Sequence, residues 1–123
     1  MNLPKTMRAI AITTPGGPEV LQLAEIATPA PAQGEILIHV EAAGVNRPDT
    51  IQRMGFYAPP PGSPDTPGLE VAGKVAAIGA GVTRWAVGDR VCALVGGGGY
   101  AEYCVAHESH ALPVPHGFNA IEA

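Results

Sequence analysis

Basic residues are scarce in this sequence: seven lysines and arginines stand against eleven aspartates and glutamates, for a formal net charge of −4. Nucleic-acid-binding domains carry a basic patch or stripe, so we expect no nucleic-acid partner. No stretch approaches the roughly 18 consecutive apolar residues of a membrane-spanning helix, so we expect no membrane partner either. Residues 1–8 lack the apolar core of a signal peptide, which makes a cytoplasmic location the expectation.

Cysteine and histidine are also few. The two cysteines, Cys92 and Cys104, cannot form a disulfide framework or a zinc site by themselves, and we expect small buried residues on strands. The histidine spacing does not suggest a ligand set, and we expect solvated or locally hydrogen-bonded imidazoles. The four histidines are His39, His107, His110 and His116.

Glycine and proline, by contrast, are abundant and spread along the chain. Sixteen glycines and thirteen prolines separate short apolar runs within 123 residues, which favours one mainly β domain of short strands joined by turns. Period-two alternation is clearest at 35–42, where Ile36 and Ile38 share one face with Val40. The pattern predicts strands at 8–13, 21–26, 35–42, 70–78, 90–95, 100–106 and 110–114. Gly73, inside one of them, predicts a bulge or a close backbone approach.

One segment carries helix signals instead. Asn46 is a good N-cap, Pro48 and Asp49 suit a first helical turn, and Gly55 suits the end of a short helix. A proline-rich loop follows at 58–64. The last five residues, 119–123, resemble the start of a further helix that is too short to be stable, so we expect a fragment trimmed near a domain boundary.

The glycine-rich stretches do not predict a dinucleotide site. Four glycines at 96–99 lack the spacing of G-x-G-x-x-G and precede a predicted strand, which indicates a loop between strands. The stretch 75–81 fails as well, because no acidic ribose partner follows a second strand at the required spacing. A nucleotide-binding half is therefore expected to be absent from this chain.

Glu70 is an acidic residue at the start of a small, apolar strand. A carboxylate in such a place is costly to bury unless it is paired. We expect Arg53 or Arg90 as its partner in a structural ion pair, and a role at the edge of a site is the alternative.

Six short motifs occur in an order that resembles the medium-chain dehydrogenase/reductase superfamily. They are PGGPEVL at 15–21, GEILI at 34–38, AGVNRPD at 43–49, PGLEVAG at 67–73, GDRV at 88–91 and GGYAEY at 98–103. The stretch 46–62 resembles the quinone oxidoreductase branch, and in particular its p53-inducible group. The resemblance implies that residues 1–123 form a GroES-like, partly open β-barrel with one or two short helices, and that the Rossmann domain of these enzymes is missing.

The resemblance also bears on metal. Zinc-dependent alcohol dehydrogenases of the superfamily place zinc ligands at the positions of Asn46 and Leu69. Leucine cannot bind a metal and a neutral amide is a poor substitute for a thiolate, so we expect no metal site.

The function implied by the resemblance is hydride transfer from NADPH to a quinone without zinc, in a parent enzyme that is a homodimer. Asn46 and Tyr57 are the implied catalytic residues, and Asn46 and Asp49 the implied cofactor-binding residues; Arg47 and Gln52 rank below them. For Asn46 and Tyr57 the alternatives are a pure N-cap and a ring that covers the core, and for Asp49 a structural role at the helix start is favoured. The alternative functions are a zinc-free enoyl or enone reductase and a non-catalytic GroES-like module.

Overall fold

The computed structural model describes residues 2–123 and contains two antiparallel sheets and one α-helix. It is mainly β, as the sequence predicts. The strands are β1 (Thr6–Ile12), β2 (Leu21–Ala27), β3 (Glu35–Ala43), β4 (Glu70–Ile78), β5 (Arg90–Leu94), β6 (Tyr103–His107) and β7 (Ala111–Pro113). The helix α1 (Arg47–Arg53) follows β3, and short 3₁₀ turns occupy Pro18–Val20 and Glu108–His110.

Five strands form the larger sheet, in the order β6-β3-β4-β5-β7, and it curls into a partly open barrel. The 3₁₀ turn Glu108–His110 joins the two edge strands, so that Ala106 of β6 and Ala111 of β7 share one core. Ile36 and Ile38 of β3 point into that core together with Val75 of β4. This arrangement is the GroES-like fold that the motif order implies.

The face of β3 opposite Ile36 and Ile38 is mixed in character. Leu37 is fully buried, whereas His39 is exposed. Three consecutive residues, Ile36, Leu37 and Ile38, are fully buried, so the first half of β3 is covered on both faces. The alternation of the sequence is therefore a correct guide to the strand but not to every side chain on it.

The hairpin β1–β2 forms the second sheet and attaches to the first near Tyr100. The Ile10 N–H donates to the Tyr100 carbonyl at 2.8 Å, and Ala9 forms an isolated bridge with Ala101. This attachment explains why β6 begins at Tyr103 and not at Tyr100, as the sequence predicted: the backbone from Tyr100 to Glu102 pairs with β1 first.

An ion pair supports the same junction on the surface. Arg8 Nη2 lies 3.0 Å from Glu102 Oε1, and the Arg8 backbone N–H donates to Glu102 Oε2 at 2.7 Å. The Arg8 hydrogen bonds lower the pKa of the Glu102 carboxyl. Since both side chains are well exposed, the pair contributes little to stability.

Both ends of the helical predictions can be compared with the structure. Asn46 caps α1, and Gly55 lies just beyond the helix with a φ of +89°, the left-handed conformation that suits glycine. At the C-terminus, Asn119 and Glu122 form the reciprocal hydrogen bonds of a capping box, but residues 119–123 make only a turn.

The two cysteines are unpaired, with Cys104 buried and Cys92 half-buried. Within residues 2–123, no helix has the length and apolarity needed to cross a membrane.

Gly73 lies at a close approach between β3 and β4, as predicted. The register pairs Val40 with Gly73 and Ala42 with Ala72, which leaves Glu41 in a bulge. A Cβ on Gly73 would collide with the His39 carbonyl oxygen. Only glycine allows the two strands to pair at this position.

We therefore expect Gly73→Ala to lower the free energy of unfolding by at least about 2 kcal/mol, because backbone cannot yield as a flexible side chain does. Urea unfolding followed by the fluorescence of Trp85 measures this. The matched control is Gly17→Ala, whose new methyl group would meet only the carboxylate end of Glu19. Equal stability of the two variants would refute the close-approach explanation.

Candidate functional site

The candidate site lies where β3 ends, α1 begins and β4 begins. Ala43, the last residue of β3, pairs with Val71 of β4. This register places Asn46, the N-cap of α1, beside Glu70, the first residue of β4. Gly44 lies between them, and a Cβ there would collide with the Glu70 carboxylate, so this glycine leaves room for the contact.

Asn46 and Glu70 are joined directly. Asn46 Nδ2 donates to Glu70 Oε1 at 2.8 Å. Asn46 is half-buried, and Glu70 is exposed.

The predicted arginine partners of Glu70 are wrong. Arg90 stands opposite Lys74 in the β4–β5 register, four residues along β4 from Glu70. Arg53, at the far end of α1, donates its Nε to the Gly16 carbonyl at 3.1 Å instead. The helix cap is simply closer to Glu70 than either cation.

The buried Asp49 stabilises the start of α1. The Asn46 backbone N–H donates to Asp49 Oδ2 at 2.8 Å. In return the Asp49 N–H faces the Asn46 side chain in a loose capping-box arrangement and donates to the Asn46 main-chain carbonyl at 3.0 Å. A carboxylate at this position also interacts favourably with the helix dipole.

Tyr100 completes the network from the glycine-rich loop. Its hydroxyl donates to Asp49 Oδ2 at 2.5 Å and lies 3.3 Å from the Gly44 carbonyl oxygen. Burial, and then the hydrogen bond to Asp49, raise the pKa of Tyr100. Asp49 itself is only 7% exposed, and its Oδ1 is buried without a hydrogen-bond partner within residues 2–123.

The structure thus brings together two of the three predicted site residues, Asn46 and Asp49. Tyr57 is half-buried and lies past the opposite end of α1, which is about 10 Å long. The Tyr57 hydroxyl takes no part in the network.

Sequence reasoning missed Tyr100 as part of the site, because it was assigned only to a strand. A signal was present nonetheless. Glycines permit a close approach of backbone beside the tyrosine that follows them, and a tyrosine hydroxyl that becomes buried normally finds a hydrogen-bond partner.

The surface around the network is shaped by small cavities. A cavity of about 240 Å³ adjoins Glu70 and Gly44, with Ala42 and Ala72 on its walls and Ile121 at its rim. A larger cavity of about 560 Å³ lies elsewhere, along the open edge of β6 and the proline-rich loop, and none of the predicted site residues lines it.

The donor set near Asn46 is poor in metal ligands. The side chain of Leu69 has no atom that can bind a metal. The nearest side chains with such atoms are the amide of Asn46, the carboxylates of Asp49 and Glu70, and the phenol of Tyr100. Over residues 2–123, no group of three or more histidine, cysteine, aspartate or glutamate side chains is arranged to hold a metal ion.

The burial of the Tyr100 hydroxyl and its hydrogen bond to Asp49 together predict a pH-dependent stability. Because the fold raises the pKa of Tyr100, the folded chain keeps the phenol proton that the unfolded chain releases above about pH 10. Stability should therefore fall as the pH rises from about 10. Tyr100→Phe should remove this dependence and cost about 1–2 kcal/mol at neutral pH.

Urea unfolding at several pH values between 7 and 11 checks this. Tyr103→Phe is the matched control, since Tyr103 stacks on His39 at 4.8 Å and has no contact with Asp49. A Tyr100→Phe chain with the same alkaline loss of stability as the control would show that the Tyr100 hydroxyl is not responsible.

Comparison with known proteins identifies the fold family. Residues 32–116, well over half of the chain, match the family described as the alcohol dehydrogenase GroES-like domain. The quinone oxidoreductase of Rattus norvegicus is 43% identical over 113 residues, which cover 90% of this chain and 34% of that protein. The chain thus spans about a third of the length of the curated relatives that it matches.

Solved structures agree with the sequence relatives. The quinone oxidoreductase of Coxiella burnetii superposes with a TM-score of 0.88 at 28% identity, over 97% of this chain and 40% of that one. A mycobacterial protein complexed with NADPH superposes with a TM-score of 0.80 at 39% identity, over 93% of this chain and 35% of that one. With the fold, the motif order and these likenesses in agreement, the chain belongs to the alcohol dehydrogenase GroES-like domain family, within the medium-chain dehydrogenase/reductase superfamily.

Proposed function

We propose that this chain is the catalytic domain of an NADPH-dependent quinone oxidoreductase that transfers hydride without zinc. The observation that carries the proposal is the state of Asn46. Its amide donates one N–H to Glu70 at the start of α1 and keeps the other N–H free. The resemblance to zinc-dependent alcohol dehydrogenases implies a zinc ligand at this position.

The chemistry asks little of the protein. A quinone accepts a hydride and a proton and becomes a hydroquinone, while the nicotinamide is oxidised. The acceptor is already electron-poor and its product is aromatic, so a metal is not needed to polarise it. The protein has to hold the two reactants face to face and stabilise negative charge on the quinone oxygen.

Asn46 suits the second task. A neutral N–H donor needs no metal ion and can point at the oxygen where negative charge develops. The N-terminus of α1 adds a partial positive charge nearby. The exposed Val45, at 83% of its full accessibility, supplies an apolar surface next to the amide.

Tyr57 suits the first task. Its ring lies in the loop after α1, where it can stack on a flat quinone or nicotinamide ring, and its hydroxyl can donate a hydrogen bond. Phe56, which is 83% exposed, extends the apolar surface beside it.

The choice of NADPH over other cofactors rests on likeness to relatives. The site is compatible with a nicotinamide, since the half-buried Tyr57 and the exposed Phe56 offer aromatic rings on which its ring could stack, and the predicted contact of Asn46 with the cofactor stays a prediction. The predicted contact of Asp49 with the cofactor stays a prediction. Its Oδ2 already accepts from Asn46 and Tyr100, which favours a role in holding the start of α1.

A two-domain, homodimeric, cytoplasmic enzyme is part of the same proposal. In the relatives that the chain matches, about two thirds of the length lies outside the matched part. We propose that the remainder supplies the Rossmann domain and the dimer contacts, so that the 123-residue chain alone should not oxidise NADPH.

Activity of the full-length protein that carries this chain tests the proposal. We expect NADPH-dependent reduction of simple quinones, with crotonyl-type thioesters turned over at least about 10-fold more slowly. Asn46→Ala should lower kcat/KM for the quinone about 100-fold, the usual effect of removing a donor to a developing oxyanion. Tyr57→Ala should mainly raise KM, and Tyr57→Phe less so, because stacking survives in phenylalanine.

The controls are an exposed asparagine and the metal content. Asn2→Ala should leave the kinetics unchanged. The purified enzyme should contain far less than one zinc per chain and keep its activity in a chelator. Stoichiometric zinc, faster turnover of thioesters, or full activity of Asn46→Ala would each contradict the proposal.

A further inference from the structure

We propose that Glu70 is a positioning residue: it fixes the orientation of the Asn46 side-chain amide and thereby commits Asn46 to act as a hydrogen-bond donor. This inference rests on the proposed function for its catalytic consequence, but the orientation itself can be measured without any turnover.

The argument starts from what each group can do. An ionised carboxylate has only acceptors, while a carboxamide carries a donor end and an acceptor end. The atom of Asn46 that lies 2.8 Å from Glu70 Oε1 must therefore be the nitrogen, as the structure has it. Rotation of the amide by 180° would bring two oxygens together and lose the hydrogen bond to a charged acceptor, which is among the stronger hydrogen bonds in proteins.

The helix constrains the other end of the amide. The oxygen end of Asn46 faces the Asp49 N–H at the start of α1, although this contact is looser than the one to Glu70. With one N–H on Glu70 and the oxygen turned to the helix, the second N–H is the polar group left free. A donor, and not an acceptor, is what a quinone oxygen needs as it gains charge.

The backbone around Asn46 is fixed independently of Glu70. Asp49 Oδ2 accepts from the Asn46 N–H, and Tyr100 clamps Asp49 from the glycine-rich loop. The position of the residue and the orientation of its amide are thus set by different partners. A change at Glu70 should release the amide without moving the helix.

Gly44 gives a second sign that the Glu70 contact is built into the fold. A side chain on Gly44 would overlap the Glu70 carboxylate, so the turn between β3 and α1 is open at the place the carboxylate occupies. Glu70 also lines two small cavities of about 240 Å³ each on this side of the barrel, and Gly44 lines one of them with it.

Nuclear magnetic resonance of the 123-residue chain tests the orientation directly. The side-chain N–H signals of Asn46 are assigned by their loss in Asn46→Ala. In the native chain we expect one of the two N–H protons to be shifted downfield and to exchange slowly with water. In Glu70→Ala both should exchange rapidly, whereas the backbone signals of α1 should stay in place.

Two further variants separate the hydrogen bond from the charge. Glu70→Asp keeps the charge but withdraws the acceptor by one carbon–carbon bond, about 1.5 Å, which is out of hydrogen-bond range. Glu70→Gln keeps an acceptor oxygen at the native reach but loses the charge. If the role is positioning, Glu70→Gln should preserve part of the slow exchange and Glu70→Asp should not. Glu25→Gln, on the exposed face of β2, is the matched control and should change nothing.

In the full-length protein the same order should appear in kcat. Glu70→Ala and Glu70→Asp should lower kcat for quinone reduction by about 10-fold with KM for NADPH within about 2-fold, because a transition-state contact is lost and not a binding contact. Glu70→Gln should retain more activity than Glu70→Asp. Asn46 signals that are indifferent to Glu70, or a Glu70→Asp enzyme more active than Glu70→Gln, would overturn the proposal.

The two proposals fail in different ways. If the full-length protein reduces no quinone but the Asn46 signals depend on Glu70 as described, the proposed function is wrong and the positioning of the amide stands. If quinone reduction needs Asn46 but the amide signals ignore Glu70, the function stands and the positioning role is wrong.

Discussion

The candidate site depends on the hydrogen bonds that the buried carboxylate of Asp49 accepts. One of its oxygens accepts from the Asn46 backbone and from the Tyr100 hydroxyl, so it ties the start of α1 to the glycine-rich loop, 51 residues further along the chain. A nearly buried carboxylate is costly unless it is hydrogen-bonded, and these two donors offset much of that cost. These two hydrogen bonds fix the start of α1 relative to the barrel, and they give Asn46 a defined position at the surface of the barrel.

Much of the fold was predictable because it depends on local patterns. The alternation of apolar and polar residues predicted β3, and the glycines and prolines predicted the turns around it. The N-cap residue Asn46 predicted the start of α1. Gly73 was correctly predicted to mark an irregular or crowded point, because a glycine inside a strand has few other reasons to be there. The end of β3 was placed to within one residue, and β4 was placed at its observed bounds.

The site was less predictable because its contacts depend on register and on distant segments. Glu70 was assigned an arginine, yet the β4–β5 register sets Arg90 against Lys74, and no single-sequence pattern reveals a register. Tyr100 was missed because its partner Asp49 comes from a different part of the chain. Asn46 was correctly predicted to be an N-cap, but its hydrogen bond to Glu70 follows only from the turn that Gly44 permits.

The central claim is that Asn46 stabilises a quinone oxygen in place of a metal, and a crystal structure of the full-length protein with NADP⁺ and a quinone tests it most directly. The account predicts Asn46 Nδ2 within about 2.7–3.2 Å of a quinone oxygen, with the same nitrogen still donating to Glu70 and no metal ion nearby. A quinone bound away from Asn46, or a metal ion between Asn46 and the quinone, would contradict it.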